Sequence, residues 1–227
     1  MTRTFKIISW LTILLFALFI SLTSFRYFVL SPEMAIGKPF DIRFTEYITS
    51  LQIHIIGSSL ALFLGVWNFW SKSRDKYPLL HRWIGRVYLI AVLIGGTSGF
   101  YLGLTAIGGL TSRIGFVLLA VMWLSTGIMA YLRIRQGDVQ SHKEWMIRNY
   151  ALTLAGVTLR LWLPTFLSLG FTFVETYTTV AWLSWFPNLL VAEFIIRKRQ
   201  VKENKQVDNS RIVNHQVAQQ GVLIESQ

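Results

Sequence analysis

Six stretches of mostly apolar residues, each about as long as a membrane crossing, separate the charged clusters of this chain. A helix needs about 20 such residues to cross the hydrocarbon core of a bilayer. We therefore predict six spans, numbered 1 to 6 in chain order, near residues 7–27, 47–70, 82–106, 114–132, 145–166 and 178–196. Only 15% of residues are charged, against about 25% in a soluble domain, so a polytopic membrane protein is favoured.

The predicted fold is an all-α integral membrane bundle of six transmembrane helices with both termini in the cytoplasm. Seventeen of the 22 Lys and Arg residues flank spans on the side of the N-terminus, and four lie on the other side. Cytoplasmic loops carry the excess of Lys and Arg, so this asymmetry predicts the orientation and the inner membrane as location. We divide the chain into an N-terminal anchor and outer loop (1–46), a five-helix membrane core (47–196) and a flexible basic and polar cytoplasmic tail (197–227).

The net charge of +11 does not indicate a nucleic-acid partner. Its basic residues flank spans, where anionic lipid accounts for them, so the expected partner is the lipid bilayer. The chain has no cysteine, which excludes disulfides, thiolate metal sites and cysteine nucleophiles. It also lacks the HExxH motif of zinc proteases and the Walker phosphate loop.

Small and polar residues of spans 2, 3 and 5 fall on one face of each helix at 100° per residue. Such faces turn toward the bundle interior. We attribute the glycines among them to close helix packing. The faces comprise Ser50, His54, Ser58, Ala61, Gly65 and Asn68 on span 2, His81, Tyr88, Gly95, Gly99 and Gly103 on span 3, and His142, Asn149, Thr153, Gly156 and Arg160 on span 5.

Arg160 is the strongest candidate for a binding residue, because it is a charged residue inside a predicted span. A guanidinium there costs at least about 2.5 kcal/mol unless it snorkels or is paired. We expect its partner to be an anionic ligand or an acid from the outer loops, namely Glu46, Asp41 or Glu175.

His54 is placed at a similar depth on span 2. We interpret it either as part of an outward-facing pocket shared with Arg160 or as a hydrogen-bonded residue of a helix-packing seam. Asn68 and Asn149 are further candidate ligand-binding residues on the same helix faces. The predicted ligand of this pocket is a small anion, a lipid headgroup or a transported solute.

A second candidate site lies at the cytoplasmic ends of spans 3 and 5. His81 and His142 could supply two axial ligands to the iron of a b-type haem, while Arg82, Arg86 and Arg148 pair with its propionates. A quinone headgroup is the other cofactor that these groups could bind, and no other metal is expected. An accessory or assembly subunit, in which the polar faces only hold the bundle together, is the remaining alternative.

The sequence also indicates how spans 3 and 5 begin. Trp83-x-x-Arg86-x-Tyr88 matches Trp145-x-x-Arg148-x-Tyr150, which indicates either a duplicated helical hairpin or two separate interface anchors. Ser141 and Glu144 have the spacing of a capping box, so we expect Ser141 to cap span 5.

Three motifs occur in order along the chain. They are His54-x-x-Gly57 with Gly65-x-x-Asn68-Phe69, then His81-Arg82-x-x-Gly85-Arg86-x-Tyr88, and then His142-x-x-Trp145-Met146-x-Arg148-x-Tyr150-Ala151-Leu152-Thr153, which runs on to Val157-Thr158-Leu159-Arg160. These motifs resemble the signatures of a bacterial family of predicted membrane proteins classed as a domain of unknown function. The resemblance covers residues 47–165 and implies that His54, His81, His142 and Arg160 belong to a shared core. It implies no activity.

Overall fold

The computed structural model describes the backbone of residues 3–30, 41–70 and 76–225, and the side chains of residues 8, 11–30, 46–70 and 76–206. The described residues form helices and no strands, as predicted. In chain order the helices are α1 (Arg3–Ser24), α2 (Arg26–Val29), α3 (Asp41–Asn68), α4 (Pro78–Leu104), α5 (Gly109–Arg135), α6 (Val139–Thr153), α7 (Ala155–Ser168), α8 (Phe173–Leu183) and α9 (Phe186–Glu225).

These helices contain six stretches long and apolar enough to cross a membrane, which confirms the predicted number of spans. Each structural span overlaps the predicted one, and we keep the numbering. Spans 1 to 6 are Leu11–Val29, Glu46–Asn68, Pro78–Leu104, Gly109–Arg135, Val139–Ser168 and Phe173–Gln206.

Helices α3, α4, α5 and α6 pack in chain order, each against the next. Helix α1 packs against α3 and α7, and α8 packs against α5 and α7. Where α3 crosses α4, a Cβ on Gly57 would lie 2.5 Å from the backbone nitrogen of Gly95. The two backbones therefore touch at this crossing, as predicted for Gly95 on the small-residue face of span 3.

Spans 5 and 6 are both interrupted near their middle. Span 5 breaks at Leu154, between α6 and α7, where the Leu154 carbonyl accepts the N–H of Val157 at 2.9 Å. Span 6 breaks between α8 and α9, immediately before Pro187. Proline has no N–H to continue the helical ladder but suits the first turn of a new helix.

Asp138, and not Ser141, caps span 5, so the expected capping box is wrong. Its carboxylate accepts the backbone N–H of Ser141 at 2.9 Å, and the helix begins at Val139. The hydrogen bonds from the side chain and backbone of Ser141 lower the pKa of Asp138 below its ordinary value. Asp138 lies three residues before Ser141, and its single carboxylate suffices to cap the helix.

The chain divides into two compact units. The first, Met1–Leu189, holds spans 1 to 5 and α8. The second unit is Leu190–Gln227, and α9 continues through it from Leu190 to Glu225. Its basic residues Arg197, Lys198 and Arg199 are exposed.

Candidate functional site

The break at Leu154 redirects the second half of span 5. Before the break, α6 packs against α5 and α3, whereas after it α7 packs against α8 and α1. Thr153 is the last residue before the break, and its hydroxyl donates back to the Asn149 carbonyl at 3.0 Å. As a result, the Arg160 side chain reaches the end of α1, at Ser24.

The Arg160 guanidinium is held by two neutral oxygens. Nη1 donates to the Gly156 carbonyl at 2.9 Å and Nη2 donates to Ser24 Oγ at 3.0 Å. Ser24 is only 2% exposed, and its own hydroxyl donates to the Ile20 carbonyl at 2.7 Å. Arg160 is thus anchored to a fixed point on span 1 while its side chain stays exposed at the protein surface.

None of the expected acids pairs with Arg160 among the side chains that the structure describes. The Glu175 carboxylate instead caps α8, accepting the Thr172 backbone N–H at 2.9 Å. Glu46 is exposed and forms no ion pair with Arg160, and the Asp41 side chain lies outside the described residues.

His54 lies where span 2 packs against span 3. Its Nδ1 is 2.8 Å from the Gly95 carbonyl oxygen, and a Cβ on Gly99 would lie 2.9 Å from the same nitrogen. A carbonyl only accepts, so Nδ1 carries the hydrogen and Nε2 is the acceptor of the neutral ring. The charge of Arg160 acts on the imidazole, although the two side chains share no hydrogen bond among the described contacts.

Asn149, by contrast, belongs to a buried hydrogen-bond network that joins spans 3, 4 and 5. Its Oδ1 accepts the Tyr88 hydroxyl at 2.6 Å, and its Nδ2 donates to the Trp123 carbonyl at 2.7 Å and Thr126 Oγ1 at 2.9 Å. Thr153 Oγ1 accepts from the Trp123 indole at 2.9 Å. Since Asn149 is 0% exposed and its amide is occupied, this network holds the helices together.

Asn68 is separated from His54 by 14 positions of one helix, about 21 Å, so the two do not share a pocket. It is 7% exposed, and neither its Oδ1 nor its Nδ2 has a hydrogen-bond partner among the described residues. Nearby, Tyr150 packs on Gly65 and donates to the Leu62 carbonyl at 3.2 Å. Asn68 is therefore a buried amide without the bonds that normally stabilise one.

Two of the predicted cofactor residues, Arg86 and Arg148, form the same local contact near the starts of spans 3 and 5. Arg86 lies over the ring of Trp83 at 4.9 Å, and Arg148 lies over Trp145 at 4.7 Å. The two matching sequence motifs thus form the same cation–π pair, as expected of either explanation for the repeat. Arg82 is exposed.

His142 and His81 open spans 5 and 3, as predicted. His142 Nδ1 is 2.8 Å from the Ala130 carbonyl oxygen of span 4, which makes Nε2 the acceptor of the neutral ring. His81 lies in the first turn of α4, where its backbone N–H donates to the Tyr77 carbonyl at 3.0 Å.

A further polar cluster, missed by the sequence analysis, joins the breaks of spans 5 and 6. Asn188 Nδ2 lies 3.3 Å from the Ala151 carbonyl, 3.2 Å from Thr158 Oγ1 and 3.0 Å from the Ser184 carbonyl. Thr158 also donates to the Ser184 carbonyl. These bonds occupy carbonyls at the interruptions, as broken helices inside a membrane require, and Pro187 was the signal in the sequence that could have indicated them.

One family model, described as "Predicted membrane protein (DUF2306)", matches residues 51–196 of the chain. No curated protein and no solved structure matches it.

Proposed function

The chain belongs to the DUF2306 family of predicted membrane proteins, a domain of unknown function, and we propose that this multi-pass membrane protein binds an anionic ligand at Arg160. The observation that carries the proposal is the pair of bonds from Arg160 to the neutral oxygens of Gly156 and Ser24. Neither oxygen compensates the charge.

The direction of the Arg160 side chain argues against a simple interface anchor. An anchoring arginine extends toward the nearer membrane surface. Nη1 instead bonds the Gly156 carbonyl, one turn toward the middle of the span. A guanidinium has five N–H donors, and the two bonds use one donor on each terminal nitrogen, so further N–H groups are suited to an anion.

His54 supports the same site and narrows the ligand. Since Nδ1 donates to the Gly95 carbonyl, the neutral ring offers Nε2 as a hydrogen-bond acceptor. A ligand that carries an anionic oxygen for Arg160 and a hydroxyl for His54 therefore fits both residues. Monobasic phosphate and the headgroup of phosphatidylglycerol have that combination.

The test is the thermal unfolding of the detergent-purified protein with inorganic phosphate, acetate or short-chain phosphatidylglycerol at constant ionic strength. At a ligand concentration 100 times Kd, binding stabilises a protein by about 2.7 kcal/mol. We expect at least one of these anions to raise the melting temperature of the wild type and not of Arg160→Gln.

Arg113→Gln is the matched control. Arg113 is exposed, like Arg160. It lies near the start of span 4, which is on the same side of the bundle as the end of span 5. Its side chain also donates to a backbone carbonyl, that of Ala106, at 3.4 Å. Its variant should respond like the wild type. Equal stabilisation of Arg160→Gln, or no response of the wild type to any of the three anions, would refute the proposal.

His142 supports a second candidate function, binding of a b-type haem or a quinone. Histidines that ligate metals commonly donate their other ring N–H to a backbone carbonyl, and His142 makes such a bond with Ala130. Protein expressed with haem precursor should then show sharp α and β bands on reduction with dithionite, lost in His142→Ala and in His81→Ala. A featureless spectrum rejects haem, and a quinone-binding assay with the same variants tests the other cofactor.

A further inference from the structure

A second arginine, Arg26, lies at the start of α2, just after the Ser24 that Arg160 bonds. Arg26 follows Ser24 by two residues, and its charge is close enough to repel that of Arg160. Its Nη2 donates to the Tyr27 hydroxyl at 3.0 Å, while its Cζ lies 5.0 Å from the centre of the Tyr27 ring. Gln52 of span 2 donates to the Tyr27 carbonyl at 3.0 Å, which fixes this segment against the bundle.

Two like charges therefore converge where spans 1, 2 and 5 meet. No carboxylate that the structure describes forms an ion pair with Arg26 or with Arg160. The other polar neighbours are Ser24, Tyr27 and His54, and none of them carries a negative charge at neutral pH. Near a membrane such repulsion is less screened than in water, so an anion between the two guanidiniums would relieve it.

We propose that Arg26 and Arg160 together bind a phosphate group, a proposal that rests on the anion-binding function proposed above. Arginine binds phosphate through parallel N–H···O bonds. A tetrahedral phosphate has enough oxygens to meet two guanidiniums and still place a hydroxyl or ester oxygen elsewhere. A carboxylate has two oxygens, which a single arginine fork already occupies.

The phosphate can come from a lipid headgroup or from solution, and two experiments distinguish these sources. The first is native mass spectrometry of the intact chain released from nanodiscs of a phosphate-free galactolipid containing phosphatidylglycerol. The second is equilibrium dialysis of the detergent-purified chain against radiolabelled inorganic phosphate, with acetate as competitor. Each uses the wild type, Arg26→Gln, Arg160→Gln and Arg113→Gln.

We expect phosphate binding in at least one experiment, weakened about tenfold or more by Arg26→Gln and by Arg160→Gln, since each removes charged hydrogen bonds. Arg113→Gln should bind like the wild type. Binding only in the nanodiscs identifies a lipid phosphodiester, and binding only in dialysis identifies a soluble phosphate. Without ligand, Arg26→Gln should unfold at the same or a higher temperature than the wild type, because it removes a repulsion.

Three results would overturn the inference. If Arg160→Gln abolishes binding while Arg26→Gln binds like the wild type, the anion site stands but its second arginine is wrong. If acetate competes as well as unlabelled phosphate, the site binds anions without selecting phosphate. If neither experiment detects phosphate and acetate still stabilises the wild type through Arg160, the function stands and the phosphate assignment fails.

Discussion

Replacement of Gly57 by alanine should force spans 2 and 3 apart. The new Cβ would lie 2.5 Å from the Gly95 nitrogen and 2.8 Å from the Ala91 carbonyl oxygen. Both atoms are backbone, so neither can move aside by a side-chain rotation. Reaching an ordinary contact of 3.4 Å requires a separation of about 0.9 Å in a core packed as densely as an organic crystal.

Overpacking of this kind costs about 1–3 kcal/mol. Alanine also favours a helix over glycine by about 1 kcal/mol, which partly offsets the steric cost of Gly57→Ala. Gly85→Ala on span 3 is the matched control, because no atom lies within 4 Å of its added Cβ. Both variants gain the same helix propensity, so the difference between them isolates the steric cost.

The assay is equilibrium unfolding of both variants in mixed micelles, followed by circular dichroism. Gly57→Ala should be less stable than Gly85→Ala by about 1–3 kcal/mol. His54 lies one turn away, and the same displacement would lengthen its bond to the Gly95 carbonyl. Stabilities equal within error would show that spans 2 and 3 do not approach as closely as the structure places them.

Three further predictions concern residues outside the arginine pair. Asn149→Leu removes three hydrogen bonds of the buried network, each worth roughly 0.6 kcal/mol in a membrane. It should lower the free energy of unfolding by about 2 kcal/mol. In the same micelle assay this loss should exceed that of Tyr88→Phe, and equal losses of stability in the two variants would contradict the network. Asn68→Leu removes a buried amide without a described partner and should raise that free energy by about 1–3 kcal/mol; a loss instead would mean that the amide is bonded in solution. The lowered pKa of Asp138 stabilises the fold above the ordinary pKa of aspartate, about 3.9, and that contribution is lost as pH falls through the folded-state value. Asp138→Asn should not show this pH-dependent loss, and parallel acid titrations of the two proteins would reveal the difference.

Apolar length was sufficient to predict the number and position of the spans, because a bilayer requires about 20 residues per crossing. Helical phase was equally informative within one unbroken helix. On span 3, Tyr88 is 0% exposed and Gly95 and Gly103 touch neighbouring backbones, as the predicted inward face requires. On span 2, Ala61 is 0% exposed.

The prediction from helical phase was wrong beyond the interruption of span 5. The sequence analysis placed Asn149, Thr153 and Arg160 on one face of span 5, which assumes a constant 100° per residue. The contacts agree up to the break, since Asn149 and Thr153 both bond residues of span 4. Beyond Leu154, Arg160 bonds Ser24 of span 1. A local break changes the direction of every later side chain, and neither Thr153 nor Gly156 marks that break in a single sequence.

The same break explains why Asn149 and Arg160, both predicted to be ligand-binding residues, lie in two separate clusters. Asn149 is fully bonded and rigidly placed, so it contributes to stability and offers a ligand little. Among the described residues Arg160 bonds only neutral oxygens, and the charge of Arg26 acts on it, so Arg160 remains the candidate for the anion site proposed above. If the interruption of span 5 is what separates the stabilising role of Asn149 from the binding role of Arg160, the variant Thr153→Val tests it. This variant should preserve the helix but remove the hydrogen bond from the Thr153 hydroxyl to the Asn149 carbonyl, next to the break. Its effect on anion binding would then exceed the effect of Thr165→Val, whose hydroxyl makes the same kind of bond to the Leu161 carbonyl away from the break.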